Sequence, residues 1–429
     1  MQSLDASLKD NTQSAPPNPN FDLDKNPTSL DNYEQAIDAA EKSTSSSALH
    51  IVTPLVYSEI LSQKTGHNIY CKLDALQPSG SFKIRGVGRV CKLSVEKYGT
   101  SAHLVCSSGG NAGLAAATAA KALGVRCTVY VPESAEEAVK ATLRALGAVV
   151  IVAGQAWDNC DLAARQAVEA EEEAVYVHPF EGEDLVDGHA SIIQEIYEQL
   201  GQAEKPQASS SNTPDMIVVA TGGGGFLNGI LRGIARRQST HPTDKPKVVS
   251  IQDFGADSFS QSMNAYHEDP EKNANAHVIL PAITSLATSM GAKKCSASTL
   301  EAARKYTRYG TVDDEIIQRS RPEASSRSGK YFAGVVLDDA ISGSAAWQFN
   351  RDHGYMVEMA CGAALAPAYQ AERLLSRLVE TLPEPNGKKN IVLIACGGSK
   401  IDAEMLEKYE KTYGTQEGMG RIEIDGVPI

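Results

Sequence analysis

The feature that most constrains the fold is a series of short apolar runs rich in β-branched residues, each followed by a turn and a helical stretch. Apolar residues in these runs occupy successive positions, which indicates strands covered on both faces. Alternation of such strands with helices predicts an α/β protein in two lobes, with open, twisted, mostly parallel sheets and helices on both faces. Seven runs carry the pattern, at residues 103–108, 127–132, 148–154, 174–180, 216–222, 247–255 and 390–398.

Helix boundaries can be read between these runs. Ser134 and Glu137 have the spacing of a capping box and predict a helix that Gly147 ends. The Ala-rich stretch Ala112–Leu123 predicts a second helix, which Gly124 ends.

Residues 1–48 differ in composition from the rest of the chain. They hold eight acidic residues, three lysines, four prolines and the run STSSS at 43–47. So little apolar surface predicts a disordered arm. The segment has neither the apolar core of a signal peptide nor the Arg-rich character of a mitochondrial presequence, so the expected location is the cytoplasm.

Charge and cysteine usage narrow the class of partner. The formal net charge is -13, which argues against nucleic acid or an anionic membrane as the main partner, because both are bound by clustered Lys and Arg. No apolar run approaches the ~20 residues that span a bilayer. The eight cysteines include no CxxC pair, which favours reduced thiols over a zinc site or a disulfide framework.

Two motifs combine small residues with a group suited to catalysis. PSGSFKIRG, at 78–86, carries Lys83, which is compatible either with a solvated turn lysine or with an amine that forms a Schiff base. SSGGNAG, at 107–113, follows a predicted strand and opens a predicted helix. It is compatible with a plain turn or with an anion site for a carboxylate.

Two further motifs lie at strand ends. TGGGG, at 221–225, is either a structural turn or a phosphate cradle, and four glycines are more than a turn ordinarily needs. ACGGS, at 395–399, presents Cys396 either as an inert core thiol or as a neutral hydrogen-bonding group at a sheet edge. A lysine, a phosphate cradle, a carboxylate loop and a neutral partner together are what pyridoxal 5'-phosphate requires of a protein.

With these motifs the chain resembles the β-family (fold type II) of pyridoxal-phosphate enzymes, and within it the catabolic L-serine/L-threonine dehydratases of eukaryotes. The resemblance covers residues 50–406. Related branches of the family differ in these motifs: threonine synthases have a motif similar to SFKDRG, and cysteine synthases have a TSGNTG-type loop. This chain has SFKIRG and SSGGNAG instead. Further matching stretches are TPLVYS (53–58), GHASI (188–192), FGADSF (254–259), AITSLA (282–287) and VEMACGAALA (357–366).

The resemblance implies roles for individual residues. Lys83 would bind the cofactor and remove the substrate α-proton, and Ser108 would relay a proton. Phe82 would pack against the cofactor ring, Asn111 would bond its phenolic oxygen, and Cys396 would face its nitrogen. The cofactor phosphate would be held by Gly222, Gly223, Gly224 and Gly225, and the substrate carboxylate by Ser107, Ser108, Gly109, Gly110 and Asn111.

The sequence departs from the family at two places. Gly109 stands where many serine dehydratases have Ala, which bears on pocket width. In the family's monovalent-cation site Gln252 stands at the position of a Glu, with Ala256 and Ser258 following. The resemblance implies K⁺ as a second cofactor, which here would have a neutral ligand in place of the acid. Asp253 is expected to be a solvated loop acid.

The function implied is α,β-elimination of L-serine and L-threonine to pyruvate and 2-oxobutanoate with release of ammonia. The alternatives are β-replacement of the cysteine synthase type and an amino-acid-binding pseudo-enzyme. A homodimer is expected, with a small amino-acid substrate as the partner. The expected organisation is a large cofactor-binding domain of residues 49–85 and 179–413, a small domain of residues 86–178, and a C-terminal tail of residues 414–429 without a regulatory domain.

Overall fold

A computed structural model describes residues 48–202, 212–319, 331–414 and 420–429. The predicted N-terminal arm lies outside the described residues apart from its last position. Within the described ranges, no helix has the length and apolarity needed to cross a membrane.

The strands belong to two sheets. In the described residues they are β1 (Leu55–Tyr57), β2 (Asn68–Lys72), β3 (His103–Cys106), β4 (Arg126–Val131), β5 (Val149–Val152), β6 (Ala174–Tyr176), β7 (Met216–Ala220), β8 (Lys247–Asp253), β9 (Phe332–Leu337), β10 (Asn390–Ile394), β11 (Ile422–Ile424) and β12 (Val427–Pro428). Eight form a sheet in the order β1-β2-β10-β7-β8-β9-β11-β12, and four form a sheet in the order β5-β4-β3-β6. Each of the seven predicted runs overlaps a strand, so the α/β prediction is confirmed.

The strands at the centre of both sheets are parallel. In the larger sheet β10 lies between β2 and β7 and runs parallel to both, with Leu393 opposite Cys71 on one side and Val218 on the other. Only β1, β11 and β12, at the two edges, pair antiparallel among the described strands. In the smaller sheet every pairing is parallel.

Helices cover the sheets and connect successive strands. Those described are α1 (Glu59–Thr65), α2 (Lys83–Tyr98), α3 (Asn111–Leu123), α4 (Glu137–Ala145), α5 (Trp157–Glu169), α6 (Glu183–His189), α7 (Ser191–Gln202), α8 (Gly225–Gln238), α9 (Ser258–Glu268), α10 (Ala297–Tyr309), α11 (Asp314–Arg319), α12 (Asp339–His353), α13 (Met359–Tyr369), α14 (Ser376–Glu380) and α15 (Ala403–Tyr413). Every residue of α13 is buried, which fits its apolar sequence and its place against the larger sheet.

The predicted helix ends are right at the C-termini and wrong at one N-terminus. Gly124 ends α3 with φ of 69°, a left-handed conformation that glycine adopts without a steric cost. The capping box of Ser134 and Glu137 does not form. The N-cap of α4 is Glu136, so Glu137 is the first helical residue, and its carboxylate pairs with Lys140 at 2.6 Å.

All eight cysteines are buried and unbridged, which confirms the prediction of free thiols. Three of the four motifs follow the carboxyl ends of strands: 107–113 follows β3, 221–225 follows β7, and 395–399 follows β10. Because carboxyl ends of parallel strands lie on one edge of a sheet, the motifs after β7 and β10 are neighbours, and residues of all three motifs line one cleft.

Candidate active site

Lys83 lies at the bottom of a cleft and is the first residue of α2. Its Nζ atom donates a hydrogen bond to the backbone carbonyl of Pro179 at 2.6 Å. Burial lowers the pKa of Lys83 to about 8. An amine with this pKa is partly neutral at physiological pH and can therefore act as a nucleophile or as a base.

A buried ion-pair network anchors the helix that begins at Lys83. Arg85 is inaccessible to solvent. Its guanidinium pairs with Asp74 at 2.6 and 2.8 Å and with Glu195 at 2.5 and 2.8 Å. Glu195 also pairs with Lys72 at 2.6 Å. The arginine of the SFKIRG motif thus ties the first turn of α2 to the turn after β2 and to α7, which fixes the position of the lysine two residues before it.

The glycine loop, residues 221–225, joins β7 to the N-terminus of α8 and lines the same cleft. Side chains would not fit here, because a Cβ atom at Gly223 would lie 2.3 Å from the ring of Phe180 and one at Gly225 would lie 2.3 Å from the Phe180 carbonyl oxygen. Gly224 has φ of 95°. A loop of bare backbone at the start of a 14-residue helix is a site for a phosphate group.

The carboxylate loop, residues 107–111, joins β3 to α3. The Ser107 hydroxyl is buried and lies 2.6 Å from the Tyr176 hydroxyl, which bonds Asp161 in turn. The Ser108 hydroxyl accepts a hydrogen bond from the Gly110 N–H at 3.3 Å. A Cβ atom at Gly109 would lie 3.3 Å from Val131, so this position packs against the end of β4.

Asn111 begins α3 and lines the cleft. Its side-chain nitrogen donates to Oε1 of Glu358 at 3.3 Å. Its side-chain oxygen accepts from the N–H and the hydroxyl of Ser399. Asn111 follows a strand of the smaller sheet, and its amide is oriented by Ser399, which follows a strand of the larger sheet, and by Glu358.

Cys396 and Phe82 complete the predicted set. A hydrogen bond with Cys361, together with burial, raises the pKa of Cys396 well above its ordinary value, so its sulfur is a neutral thiol. Phe82 stacks on Phe226 with ring centroids 4.1 Å apart, and the Lys83 Nζ atom lies 5.2 Å from its ring centroid.

The residues in the cleft fit pyridoxal phosphate. A reactive lysine lies opposite a glycine loop into which no side chain could be placed, and a neutral thiol and an amide nitrogen face the same space. Lys83 would hold the cofactor covalently, the glycine loop would hold its phosphate, and Asn111 and Cys396 would contact its ring.

Glu358 is a cleft residue to which the sequence patterns assigned no role. It is the N-cap of α13 and is buried. Its carboxylate accepts hydrogen bonds from Asn111, from the Lys400 N–H at 2.9 Å and from the Ser289 hydroxyl. The signal in the sequence is a single acid directly before a long apolar helix, in VEMACGAALA.

The residues named for a cation lie behind the glycine loop. Gln252 is buried in β8, Ala256 lies in the turn after β8, and the Ser258 hydroxyl donates to the Ala292 carbonyl at 2.9 Å. As it stands, this donor set does not fit a cation, because the amide nitrogen of Gln252 already occupies the Ala256 carbonyl at 2.9 Å. Among the described residues, no group of three or more His, Cys, Asp or Glu side chains could hold a metal ion.

Asp253 is not the solvated loop acid that the sequence suggested. It ends β8, is buried, and accepts a hydrogen bond from the Ser342 hydroxyl at 2.6 Å. Burial raises the pKa of Asp253 well above its ordinary value.

Known proteins are similar to this chain in sequence and in fold. Residues 47–397 match the family model described as pyridoxal-phosphate dependent enzyme. A mouse protein named serine dehydratase-like is 34% identical over 365 residues, covering 85% of this chain and 95% of its own. The human L-serine dehydratase/L-threonine deaminase is 34% identical over 370 residues, covering 85% and 96%.

Among solved structures, a fungal L-serine ammonia-lyase from Rhizomucor miehei is similar, with a TM-score of 0.68 and 27% identity, over 85% of this chain and 99% of that one. The family match spans the lysine, both glycine-bearing loops and the start of the last glycine motif. This chain belongs to the family of pyridoxal-phosphate dependent enzymes.

Proposed function

We propose that the protein is a pyridoxal-phosphate-dependent ammonia-lyase that converts L-serine to pyruvate and ammonia, and L-threonine to 2-oxobutanoate and ammonia. The observation that carries the proposal is the position of the partly buried Lys83, whose pKa is lowered to about 8, in one cleft with the glycine loop and Asn111. The similarity to proteins named as serine dehydratases supports this substrate class.

The residues of the cleft would divide the reaction between them. When bound, the cofactor would supply an electron sink for the charge that develops at the substrate Cα atom. Lys83 would remove the α-proton, because burial keeps part of its amine neutral. The backbone N–H groups of the carboxylate loop, at the start of α3, would bind the substrate carboxylate. Ser108 would hold a proton close to the departing β-hydroxyl.

The neutral thiol of Cys396 favours elimination. A carboxylate at the cofactor ring nitrogen would keep that nitrogen protonated and would stabilise negative charge on the ring. A thiol whose pKa is raised cannot do so. Charge would therefore leave through the β-hydroxyl of the substrate. Phe82 would pack beside the ring, and Gly222, Gly223, Gly224 and Gly225 would hold the phosphate.

The test is an assay of the purified holoenzyme with L-serine, L-threonine and their D-forms, coupled to detection of 2-oxo acids. An ammonia-lyase releases a 2-oxo acid from L-serine with no second substrate. A β-replacement enzyme would need a thiol co-substrate, and a pseudo-enzyme would show cofactor absorbance without turnover. Either of those two results would reject the proposed reaction.

We also propose that the chain acts as a homodimer in the cytoplasm, with a small amino acid as its partner. Eight free, buried cysteines favour a reducing compartment. We propose a large domain, 49–85 with 179–413, and a small domain, 86–178; the two sheets support two domains, and the larger sheet also takes in β11 and β12 from the predicted tail. Sedimentation equilibrium would test the dimer, and limited proteolysis would test the domain division.

A further inference from the structure

A buried amide links the glycine loop to the turn that follows β8. The side-chain nitrogen of Gln252 donates to the backbone carbonyls of Thr221 and Ala256, both at 2.9 Å. Its side-chain oxygen accepts from the N–H of Ser260 at 2.8 Å. These four residues are called the amide clasp below. The orientation of the Gln252 amide is fixed, because a backbone carbonyl can only accept a hydrogen bond and a backbone N–H can only donate one.

The clasp joins the glycine loop, which lines the cleft, to two segments that follow β8. Thr221 directly precedes the four glycines, Ala256 lies in the turn after β8, and Ser260 lies in the first turn of α9. Gln252 is inaccessible to solvent, and each of its two polar side-chain atoms has a partner. The neighbouring Ser258 hydroxyl is also engaged, with the Ala292 carbonyl.

The oxygens around the clasp would suit a cation if the amide nitrogen were absent. A carboxylate at position 252 would set a charged oxygen against the two carbonyl oxygens, with no donor between them. A buried charge of this kind is costly unless it is paired. A carboxylate, backbone carbonyls and a hydroxyl are together a donor set for a hard cation. The amide of Gln252 supplies its own donor at the same place, so a cation could enter only by displacing it.

We propose that Gln252 is a built-in substitute for a bound monovalent cation. The amide nitrogen holds the two carbonyls that an ion would otherwise hold, so this chain keeps its glycine loop in position without K⁺. The same geometry implies that the Gln252→Glu exchange turns the clasp into a site for an alkali cation the size of K⁺. This inference concerns stability and cofactor retention, and does not depend on which reaction the enzyme catalyses.

The experiment compares the melting temperature of the holoenzyme in potassium chloride with that in tetramethylammonium chloride at equal ionic strength, since tetramethylammonium is too large to enter the clasp. The native protein should melt at the same temperature in both salts and keep its cofactor equally well on dialysis. Gln252→Glu should melt lower in tetramethylammonium and recover as K⁺ is added, because a ligand that binds only the folded state stabilises it by mass action.

Two variants serve as controls. Gln238 is buried and also bridges two carbonyls, those of Asp244 at 2.9 Å and Gly310 at 2.7 Å. Gln238→Glu tests the general cost of burying a carboxylate against carbonyls. Gln252→Leu removes the donor without adding a charge. Each variant should melt at a lower temperature than the native protein, by the same amount in potassium chloride as in tetramethylammonium chloride.

Three results would overturn the proposal. They are stabilisation of the native protein by K⁺, a Gln252→Glu variant that behaves identically in both salts, and an equal recovery of Gln238→Glu by K⁺. If Gln252→Glu does not fold in either salt, the comparison of the two salts on the native protein still decides whether the clasp needs an ion.

Discussion

The side-chain oxygen of Asn111 accepts two hydrogen bonds from Ser399, one from its N–H at 3.0 Å and one from its hydroxyl at 2.7 Å. Asn111 follows a strand of the small sheet, and Ser399 follows a strand of the large sheet. The oxygen can only accept, so the two hydrogens of the side-chain nitrogen are the groups that Asn111 can donate, to Glu358 and to a cofactor. The acceptor of this nitrogen in the structure is Glu358, so Ser399 and Glu358 together set the direction of that donor.

Glu358→Gln should weaken pyridoxal-phosphate binding without unfolding the protein. The exchange keeps the size of the side chain but removes the charge that orients Asn111. Loss of one hydrogen bond to a charged group costs about 1.5–3 kcal/mol, so the Kd should rise by roughly ten-fold or more. Cofactor titration of the apoenzyme measures it. Ser399→Ala is the matched control and should have a smaller effect, because the backbone N–H bond remains.

Lys83→Ala should abolish both turnover and the visible absorbance of the lysine-bound cofactor, because this lysine supplies the amine in the cleft. Lys97→Ala, at an exposed position on the same helix, should change neither. Absorbance spectra and 2-oxo acid release measure the two effects. Residual 2-oxo acid production by Lys83→Ala would show that another group is the base.

The rate at which the apoenzyme is reloaded with pyridoxal phosphate should increase with pH through about 8. Only the neutral amine attacks an aldehyde, and burial lowers the pKa of Lys83 to about 8. Below that pH the amine is protonated and reloading slows; above it the rate levels off. Rapid-mixing absorbance measures the profile. A rate that keeps rising towards pH ~10.4, the ordinary pKa of lysine, would contradict the effect of burial.

Arg85→Ala should lower the free energy of unfolding by about 3–5 kcal/mol, because it leaves the buried carboxylates of Asp74 and Glu195 without their main partner. Arg89→Ala is the control on the same helix. Arg89 is 45% exposed and lies 3.7 Å from its carboxylate partners, so its loss should cost about 0–1 kcal/mol. Urea denaturation of both variants gives the comparison, and equal effects would show that the Arg85 network adds no stability.

Cys396→Ala should retain the cofactor but slow the elimination step. The glycine loop is untouched, while the group that would face the ring nitrogen is lost. The measurement is kcat together with the position of the cofactor absorbance band. An unchanged kcat with an unshifted band would remove Cys396 from the site.

Seven strands were predicted from continuous apolar residues, although the equally apolar β9 was not, and β2 was missed because polar residues are buried in it. The strand β2 begins with Asn68 and ends with Lys72, and both are inaccessible to solvent. Asn68 bonds the Asn390 side chain at 3.0 Å, and Lys72 pairs with Glu195. These partners are distant in sequence, so their compensation for burial cannot be read from local composition.

The residues of the site also fall into those that the sequence predicts and those that it does not. Glycines at strand–helix junctions and a lysine in a glycine-bearing turn mark positions where backbone must approach a ligand, so they can be found from sequence. Glu358 and Arg85 act through contacts that only the tertiary fold creates. Asp253 was misjudged for a related reason: it lies within the predicted run 247–255, but its partner Ser342 is brought to it only by the tertiary fold.

The central position of β10 has a consequence for how the chain is made. β1 and β2 leave the ribosome early, yet the strand that joins them to β7 spans residues 390–394. At about 5–20 residues per second, the wait between them is on the order of tens of seconds. The four-stranded sheet, in contrast, is contiguous from β3 to β6 and can assemble during synthesis. The nascent chain therefore carries the assembled smaller sheet beside an open edge of the larger one until β10 has been made, which is the interval in which a chaperone would bind it.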